Sequence, residues 1–322
     1  MTAPCARDVV FHGLVVVDPD NTVFPNLRNA ARAVETYVRC GALMCASARN
    51  CGIRTILVTN DRTRVTAVLR SIGAADVEVA EMQFQNPLPK GVPHRAAHNK
   101  LALIAELSTG KHGEYVGVVD LDVVFLKAIR LSGALATDTL YNYDITNQMS
   151  AESEGRALRE LRLFVGETAE EPRWFGGEAL FAHHSTLAVL SRELTRIFPR
   201  YLSCLADLYH VGDEFAVSAA TNALVARGAR VHDLGSDRSV TRWWTPRRPF
   251  PQPRLADIVC SSILHLPGDK EFLASQAGRE FNREEFLRRY RAYAAARLAG
   301  RRFYTWLERL TSDKRRQYVA RI

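Results

Sequence analysis

The first half of the chain alternates short apolar runs with segments of helical period. Val9 to Val17 (VVFHGLVVV) is a continuous apolar run that predicts a buried strand, stopped by Asp18-Pro19-Asp20-Asn21. From Asn29 to Ala48, apolar positions at Ala30, Ala33, Val34, Tyr37, Val38 and Leu43 trace one helix face, and Gly52 follows where a helix ends. Ile53 to Val58 is a second strand, ending in Thr59-Asn60-Asp61. A helix from about Arg62 to Ser71 is stopped by Gly73, and Val77 to Ala80 is a short third strand. The proline-rich Asn86–Pro93 stretch is a loop, and Asn99 to Leu107 is a helix. The run Tyr115 to Val119 then enters Asp120-Leu121-Asp122, and a second run, Val123 to Leu126, follows at once. Strand–helix alternation of this kind calls for parallel pairing with helices on both faces.

The second half is less regular. Leu140 to Ile145 reads as a strand and Ser150 to Val165 as a polar helix. Arg173 to Glu178 reads as a turn leading into the apolar Ala179–Ala182. Ser185 to Phe198 and Asp213 to Val225 are helices. Val240 to Pro253, with two tryptophans and four prolines, reads as a surface loop, Ile258 to Leu266 is an apolar stretch, and the remainder is helical.

In open α/β sheets, ligands bind beyond the carboxyl ends of the strands. Asp18, Asp20, Thr59, Asp61, Asp120 and Asp122 all stand at such ends and should share one crevice. Asp-x-Asp on the end of such a strand puts both carboxylates on one face, because side chains alternate with period two. Buried unpaired they would be costly, so they call for a cation, and hard oxygen ligands suit Mg²⁺ or Mn²⁺. The plainer alternative is a strand end whose aspartates cap the next turn.

Composition narrows the class. With 47% hydrophobic and 24% charged residues, the 322-residue chain is an ordinary globular protein. No apolar run approaches the ~20 residues of a bilayer span, and the N-terminus lacks a signal-peptide layout, so a cytoplasmic location is the expectation. The six cysteines form no Cys-x-x-Cys pair and are expected to be free, buried thiols. The net charge of +8 lies wholly in residues 279–322, which hold thirteen Lys/Arg against five Asp/Glu. There Phe281, Phe286, Tyr290, Tyr293, Phe303, Tyr304 and Trp306 interleave with the arginines. Such a segment either packs its aromatics on the core or lies on an anionic membrane surface. No nucleic-acid recognition motif accompanies the charge.

Five features in order carry a resemblance: the strand ending in Asp18; Asp120-Leu121-Asp122 roughly a hundred residues on; Trp174-Phe175-Gly176-Gly177-Glu178 followed by Ala-Leu-Phe; Asp213-Glu214 at a helix start; and His265-Leu266-Pro267-Gly268-Asp269-Lys270. Over residues 8–275 they resemble the GT-A fold glycosyltransferases, most closely the family 8 type. Lys270 stands one residue nearer Gly268 than in that family, the following Pro-Trp is missing, and the Gly-Gly-Glu turn lacks the family's asparagine. The resemblance implies a GT-A, mainly parallel α/β sheet flanked by helices over residues 1–278, with a nucleotide-binding half (1–127) and a sugar and acceptor half (128–278). Residues 279–322 would form a basic helical appendage. It implies a metal site of Asp120, Asp122 and His265 holding Mn²⁺ or Mg²⁺. A donor site for a nucleotide sugar, UDP-linked, would comprise Asp18, Asn21, Lys100, Asp120, Leu121, Gly177, Gly268 and Lys270. Glu178, Asp213 and Glu214 would act at the sugar. The acceptor would be a hydroxyl of a glycan, a lipid-linked molecule or a small molecule, with retention of configuration. If the enzyme inverts, one of those three carboxylates is the general base. Structural alternatives stand beside these roles: His265 as a turn histidine, Lys270 as a solvated lysine, Asp213 as a helix cap, Trp243-Trp244 as a core anchor, and His183-His184 as structural.

Two other classes remain. Val15-Val-Val-Asp18-Pro-Asp20-Asn-Thr22, with Thr59-Asn60 and Lys100, also looks like a haloacid-dehalogenase-type phosphatase, in which Asp18 would be the nucleophile and Asp20 the acid/base. A non-catalytic, membrane-surface protein would rest on residues 279–322 alone; in the enzyme reading the same segment would make peripheral contact with the inner face of the membrane.

Overall fold

The computed structural model describes residues 8–19, 27, 30–85, 88–131, 133–149, 151–165, 171–245 and 252–299. The first half runs β1 (Val9–Val15), α1 (Ala33–Asn50), β2 (Thr55–Thr59), α2 (Arg62–Ser71), β3 (Val79–Glu81), α3 (Asn99–Leu107), β4 (Tyr115–Val119) and β5 (Val123–Phe125). The second runs β6 (Thr139–Asp144), α4 (Ala151–Val165), β7 (Phe175–His183), α5 (His184–Cys204), α6 (Asp213–Val225), β8 (Arg230–Asp233), β9 (Val240–Arg242), β10 (Ile263–His265) and α7 (Lys270–Gln276). Residues 283–299 are also helical.

The main sheet has seven strands in the order β3-β2-β1-β4-β7-β6-β8. Neighbours β3, β2, β1 and β4 pair in parallel, β7 is antiparallel to both β4 and β6, and β6 and β8 pair in parallel. This is the mainly parallel α/β architecture the alternation calls for. All five residues of β2 and of β4 are buried, because helices cover both faces of the sheet. A second sheet, β5-β10-β9, stands apart from the first.

That separation corrects one expectation. Asp120-Leu121-Asp122 is a turn carrying the chain from the large sheet to the small one, and not the middle of a strand. Leu121 anchors the turn from within. It is buried, and a Cβ on Gly13 of β1 would stand 2.8 Å from its Cδ2. Glycine at position 13 therefore makes the hole that Leu121 fills, a burial worth roughly 1.5–3 kcal/mol.

Two further boundaries move. The Phe175–Glu178 stretch, expected as a turn, already belongs to β7. The Val240–Pro253 stretch, expected as a surface loop, begins as β9, and Trp243 is buried against Tyr290 at 5.9 Å between ring centroids. Phe281, Phe286 and Tyr290 are buried in the same core cluster as the sheet strands, so their rings are not available to a lipid surface. Phe303, Tyr304 and Trp306 lie outside the described residues. The described cysteines are free: Cys40 and Cys45 are buried, Cys51 and Cys204 half-buried, and Cys260 exposed, against the expectation of burial throughout.

His12, in the centre of β1, is 1% exposed, and its Nδ1 lies 3.3 Å from the Gly117 carbonyl of β4. Burial lowers its pKa to about 4. The unfolded chain therefore takes a proton near pH 6.5 that the folded chain refuses until about pH 4. Stability is complete above pH 6.5 and falls as the pH drops toward 4. From urea denaturation at pH 7 and 4.5, His12→Phe is expected to remove about 2–3 kcal/mol of the wild-type loss between the two. An equal loss in the variant would assign the acid sensitivity elsewhere.

Candidate active site

Two backbone hydrogen bonds pin the ends of the Asp120-Leu121-Asp122 turn to different sheets. The Asp120 amide donates to the Glu178 carbonyl of β7 at 2.9 Å, and the Leu266 amide, just beyond β10, donates to the Asp122 carbonyl at 3.0 Å. His265 ends β10, opposite Val123 of β5 and beside Arg242 of β9. The junction of the sheets therefore brings Asp120, Asp122 and His265 together.

Each aspartate divides its two oxygens. Asp120 Oδ1 meets Lys100 Nζ at 2.5 Å, and its Oδ2 is 3.7 Å from His265 Nε2. Asp122 Oδ2 meets Lys270 Nζ at 2.7 Å, and its Oδ1 is 3.3 Å from the same Nε2. One oxygen of each, and one ring nitrogen, thus converge within 4.8 Å of one another. Two carboxylate oxygens, one imidazole and no thiolate fit a divalent cation such as Mn²⁺ or Mg²⁺. On the far side of the ring, His265 Nδ1 faces Glu178 Oε1 at 3.1 Å. A carboxylate behind a ligating histidine fixes which ring nitrogen is free to ligate.

Glu178 is wholly buried, and Arg242 Nε donates to its Oε1. The same guanidinium donates from Nη2 to Glu214 Oε1 at 2.8 Å, and Glu214 Oε1 also accepts from the Gly177 amide at 3.2 Å. Lys100 reaches Asp213 Oδ2 at 2.9 Å as well as Asp120, and donates to the Gly177 carbonyl at 3.2 Å. A Cβ at Gly177 would stand 2.9 Å from Lys100 Nζ, so a larger residue there would displace the ammonium.

The titration directions follow from these pairings. Burial raises Asp120, with the Asp122 charge adding to it and Lys100 only partly opposing. Burial works against the Asp122 charge too, but Lys270 and His265 hold its carboxyl well below the usual range. Burial likewise opposes charge on His265, yet Asp122 and Glu178 raise it to about 9. Lys100 is held well above its ordinary value by Asp120 and Asp213, which outweigh its burial. Perturbed groups gathered in one cleft are the usual mark of a functional site.

The cleft they face has a volume of about 720 Å³. Asp120, Leu121, Asp122, His265, Lys270, Lys100, Asp213 and Glu214 line it, and Leu14 to Val16, Val34 and Tyr37 add apolar surface. Trp174, Tyr209, His210 and Trp244 line it as well. Asp213 and Glu214 occupy the first turn of α6. Glu178, by contrast, does not line the cleft; it stands behind His265, an orienting place rather than one that meets a sugar.

Other predicted residues fall elsewhere. Asp18 pairs with Arg95, and Asn21 and Asp20 lie outside the described residues. Gly268 is not on the cleft wall, and its carbonyl accepts from Arg297 at 3.1 Å. Thr59 and Asp61 do not join the crevice. The Thr59 hydroxyl accepts from the Asp61 amide, and the Asp61 carboxylate caps α2 through the Arg64 amide at 2.9 Å. Lys270 is buried and not solvated, and Asp213 pairs with Lys100, with no side-chain capping bond. His183 caps α5, its ring accepting from the Ser185 amide. Lys100 is committed to Asp120 and Asp213, which draws it away from the role a phosphatase built on Asp18 would require. Arg242 was not foreseen. The available signal was an arginine inside the Val240–Trp244 stretch, which when buried demands a carboxylate.

No family model matches the sequence, and no curated protein matches it. The structure is similar to a crystal structure of the galactosyltransferase LgtC in complex with donor and acceptor sugar analogs. The two share 13% identity across 87% of this chain and 99% of that one, at a TM-score of 0.47. A likeness of that degree speaks to neither activity nor substrate. Among the described residues, no helix is long and apolar enough to cross a membrane.

Proposed function

We propose that this chain is a metal-dependent glycosyltransferase of the GT-A type, moving a sugar from a nucleotide-sugar donor, UDP-linked, to a hydroxyl acceptor in glycan or glycolipid synthesis. The observation that carries the reading is the divided pairing of Asp120 and Asp122. Each gives one oxygen to a lysine and turns the other toward His265 Nε2, in the lining of the cleft.

Asp120, Asp122 and His265 would hold Mn²⁺ or Mg²⁺, which supplies Lewis-acid neutralisation of charge on the departing diphosphate. The chain's own cations complement that. Lys270 is oriented by Asp122 and by the Pro267 carbonyl, which accepts from its Nζ at 3.0 Å, and it lines the cleft where a β-phosphate would sit. Held in place before the donor arrives, it needs no reorganisation as charge develops. Lys100 ties Asp120 to Asp213 and so links the metal side of the cleft to the sugar side. Asp213 and Glu214 are assigned to the sugar hydroxyls and the anomeric centre, with retention of configuration. The apolar end of β1, Leu14 to Val16, is assigned to the nucleoside. The protein works in the cytoplasm.

A thermal-shift panel of nucleoside diphosphates with and without Mn²⁺ tests this. Stabilisation by UDP that needs Mn²⁺ is expected, about 2.7 kcal/mol at a hundredfold excess over Kd. No shift with any nucleotide, together with unchanged behaviour of Asp122→Asn, would remove the transferase reading.

A further inference from the structure

Asp269 is a carboxylate with four side-chain donors, away from the Asp120, Asp122 and His265 group. It is 0% exposed and precedes Lys270. It accepts from Thr245 Oγ1, from Tyr290 Oη at 2.8 Å, from Tyr293 Oη at 3.3 Å and from Arg297 Nη1 at 2.6 Å. Arg297 Nη1 also reaches the Gly268 carbonyl at 3.1 Å and Tyr293 Oη at 3.0 Å. Three of these donors stand on the helix of residues 283–299. The fourth follows Trp244, which lines the cleft.

A buried carboxylate with several charged or phenolic donors is fixed in orientation, because every lost bond would leave desolvated charge. Asp269 therefore joins three segments rigidly: the helix of residues 283–299, the 243–245 segment, and the turn 267–270. The backbone adds to this, since the Asp269 amide donates to the Leu266 carbonyl and the Leu273 amide to the Asp269 carbonyl, both at 3.0 Å. Two of the segments end in cleft walls, Trp244 and Lys270. Lys270 in turn sets one oxygen of Asp122.

We propose that Asp269, Tyr290 and Arg297 are positioning residues for the donor site. The helix of residues 283–299 acts through them to hold Lys270 and Trp244 in place, as a working part of the catalytic unit. The consequence for donor binding rests on the transferase reading; the bracing of the turn does not.

The test compares two arginines of one helix in the full chain. Arg297→Gln removes the charged donor from Asp269. Arg289→Gln removes a partly exposed arginine whose partners are Glu285 and Gln276, away from the hub. Hydrogen exchange is read over residues 265–273, and the Kd for UDP is read by calorimetry in the presence of Mn²⁺. Arg297→Gln is expected to speed amide exchange in that turn at least tenfold and to weaken UDP about tenfold. Arg289→Gln is expected to leave both at wild-type values, and Arg297→Lys to recover part of each. Unchanged exchange in Arg297→Gln, or equal effects in the two glutamine variants, would overturn the brace. If the wild-type chain binds no nucleoside diphosphate, the transferase reading fails while the exchange comparison still decides the brace.

Discussion

Asp122→Ala is expected to lose about 3–5 kcal/mol of folding stability, and adding Lys270→Met is expected to return most of it without returning the Mn²⁺-dependent response to UDP that the proposed function predicts. Both partners are 5% exposed, and their charged atoms meet at 2.7 Å. Taking away the aspartate leaves an ammonium buried, with the Pro267 carbonyl and the Tyr37 ring, 6.0 Å from Nζ, as recorded neighbours. Breaking a buried pair from one side costs of this order, whereas replacing both members by apolar groups of similar volume is often neutral. Methionine keeps the unbranched stem of Lys270 without its charge. Stability therefore divides from function: urea denaturation should rank the wild type and the double variant close together and the single variant far below. The Mn²⁺-dependent response to UDP should be missing from both variants, because a ligand oxygen is gone in each. A double variant that keeps the metal-dependent response would show that Asp122 is a structural counterion to Lys270 and not a ligand.

The strand and helix elements of the first half were legible because the residues that make them act locally. Asn99–Leu107 and Tyr115–Val119 are observed at the boundaries their patterns predict, and α2 likewise. Apolar runs announce a sheet covered on both sides, and glycines such as Gly52 and Gly73, with φ of 71° and 75°, stop helices where few other residues fit. The Asp120, Asp122 and His265 cluster was legible as a set of residues but not in how it forms. Alternation along one strand was the expected cause of convergence, whereas a turn between two sheets is the observed one. What separates these is the pairing of β5 with β10, a contact between residues 123–125 and 263–265 that no local pattern encodes. The same long-range pairing brings β9 beside β10 and carries Arg242 into the site, so the partners of Glu178 could not be read from its surroundings in sequence. The Asp269 hub was hidden for a parallel reason. Its donors lie more than twenty residues away, three of them on a helix whose composition speaks first of charge.

Arg242→Met is expected to cost about 3–5 kcal/mol and, on the proposed transferase reading, to cut transfer by roughly a hundredfold or more, and Arg242→Lys is expected to repair little of the second loss. Arg242 touches two carboxylates with different tasks: Glu178, wholly buried behind His265, and Glu214, on the cleft wall. Removing the guanidinium strands Glu178 as a desolvated anion beside one imidazole, which accounts for the stability cost. Glu178→Gln in the same chain removes that charge and should restore much of the stability. Transfer should stay low in the double variant, since the amide no longer presents a carboxylate to His265 Nδ1, and loss of such an outer partner commonly lowers metal affinity 10–100-fold. A lysine restores charge but not the fork. One ammonium cannot reproduce separate donations from Nε and Nη2 to carboxylates on β7 and α6, so Glu178 and Glu214 would not both be held. Denaturation midpoints, Mn²⁺ affinity and transfer rate measured on the three variants separate these effects. If Arg242→Lys matched the wild type in all three, the arginine would be serving as bulk positive charge, and the coupling it makes between Glu178 and Glu214 would have no function.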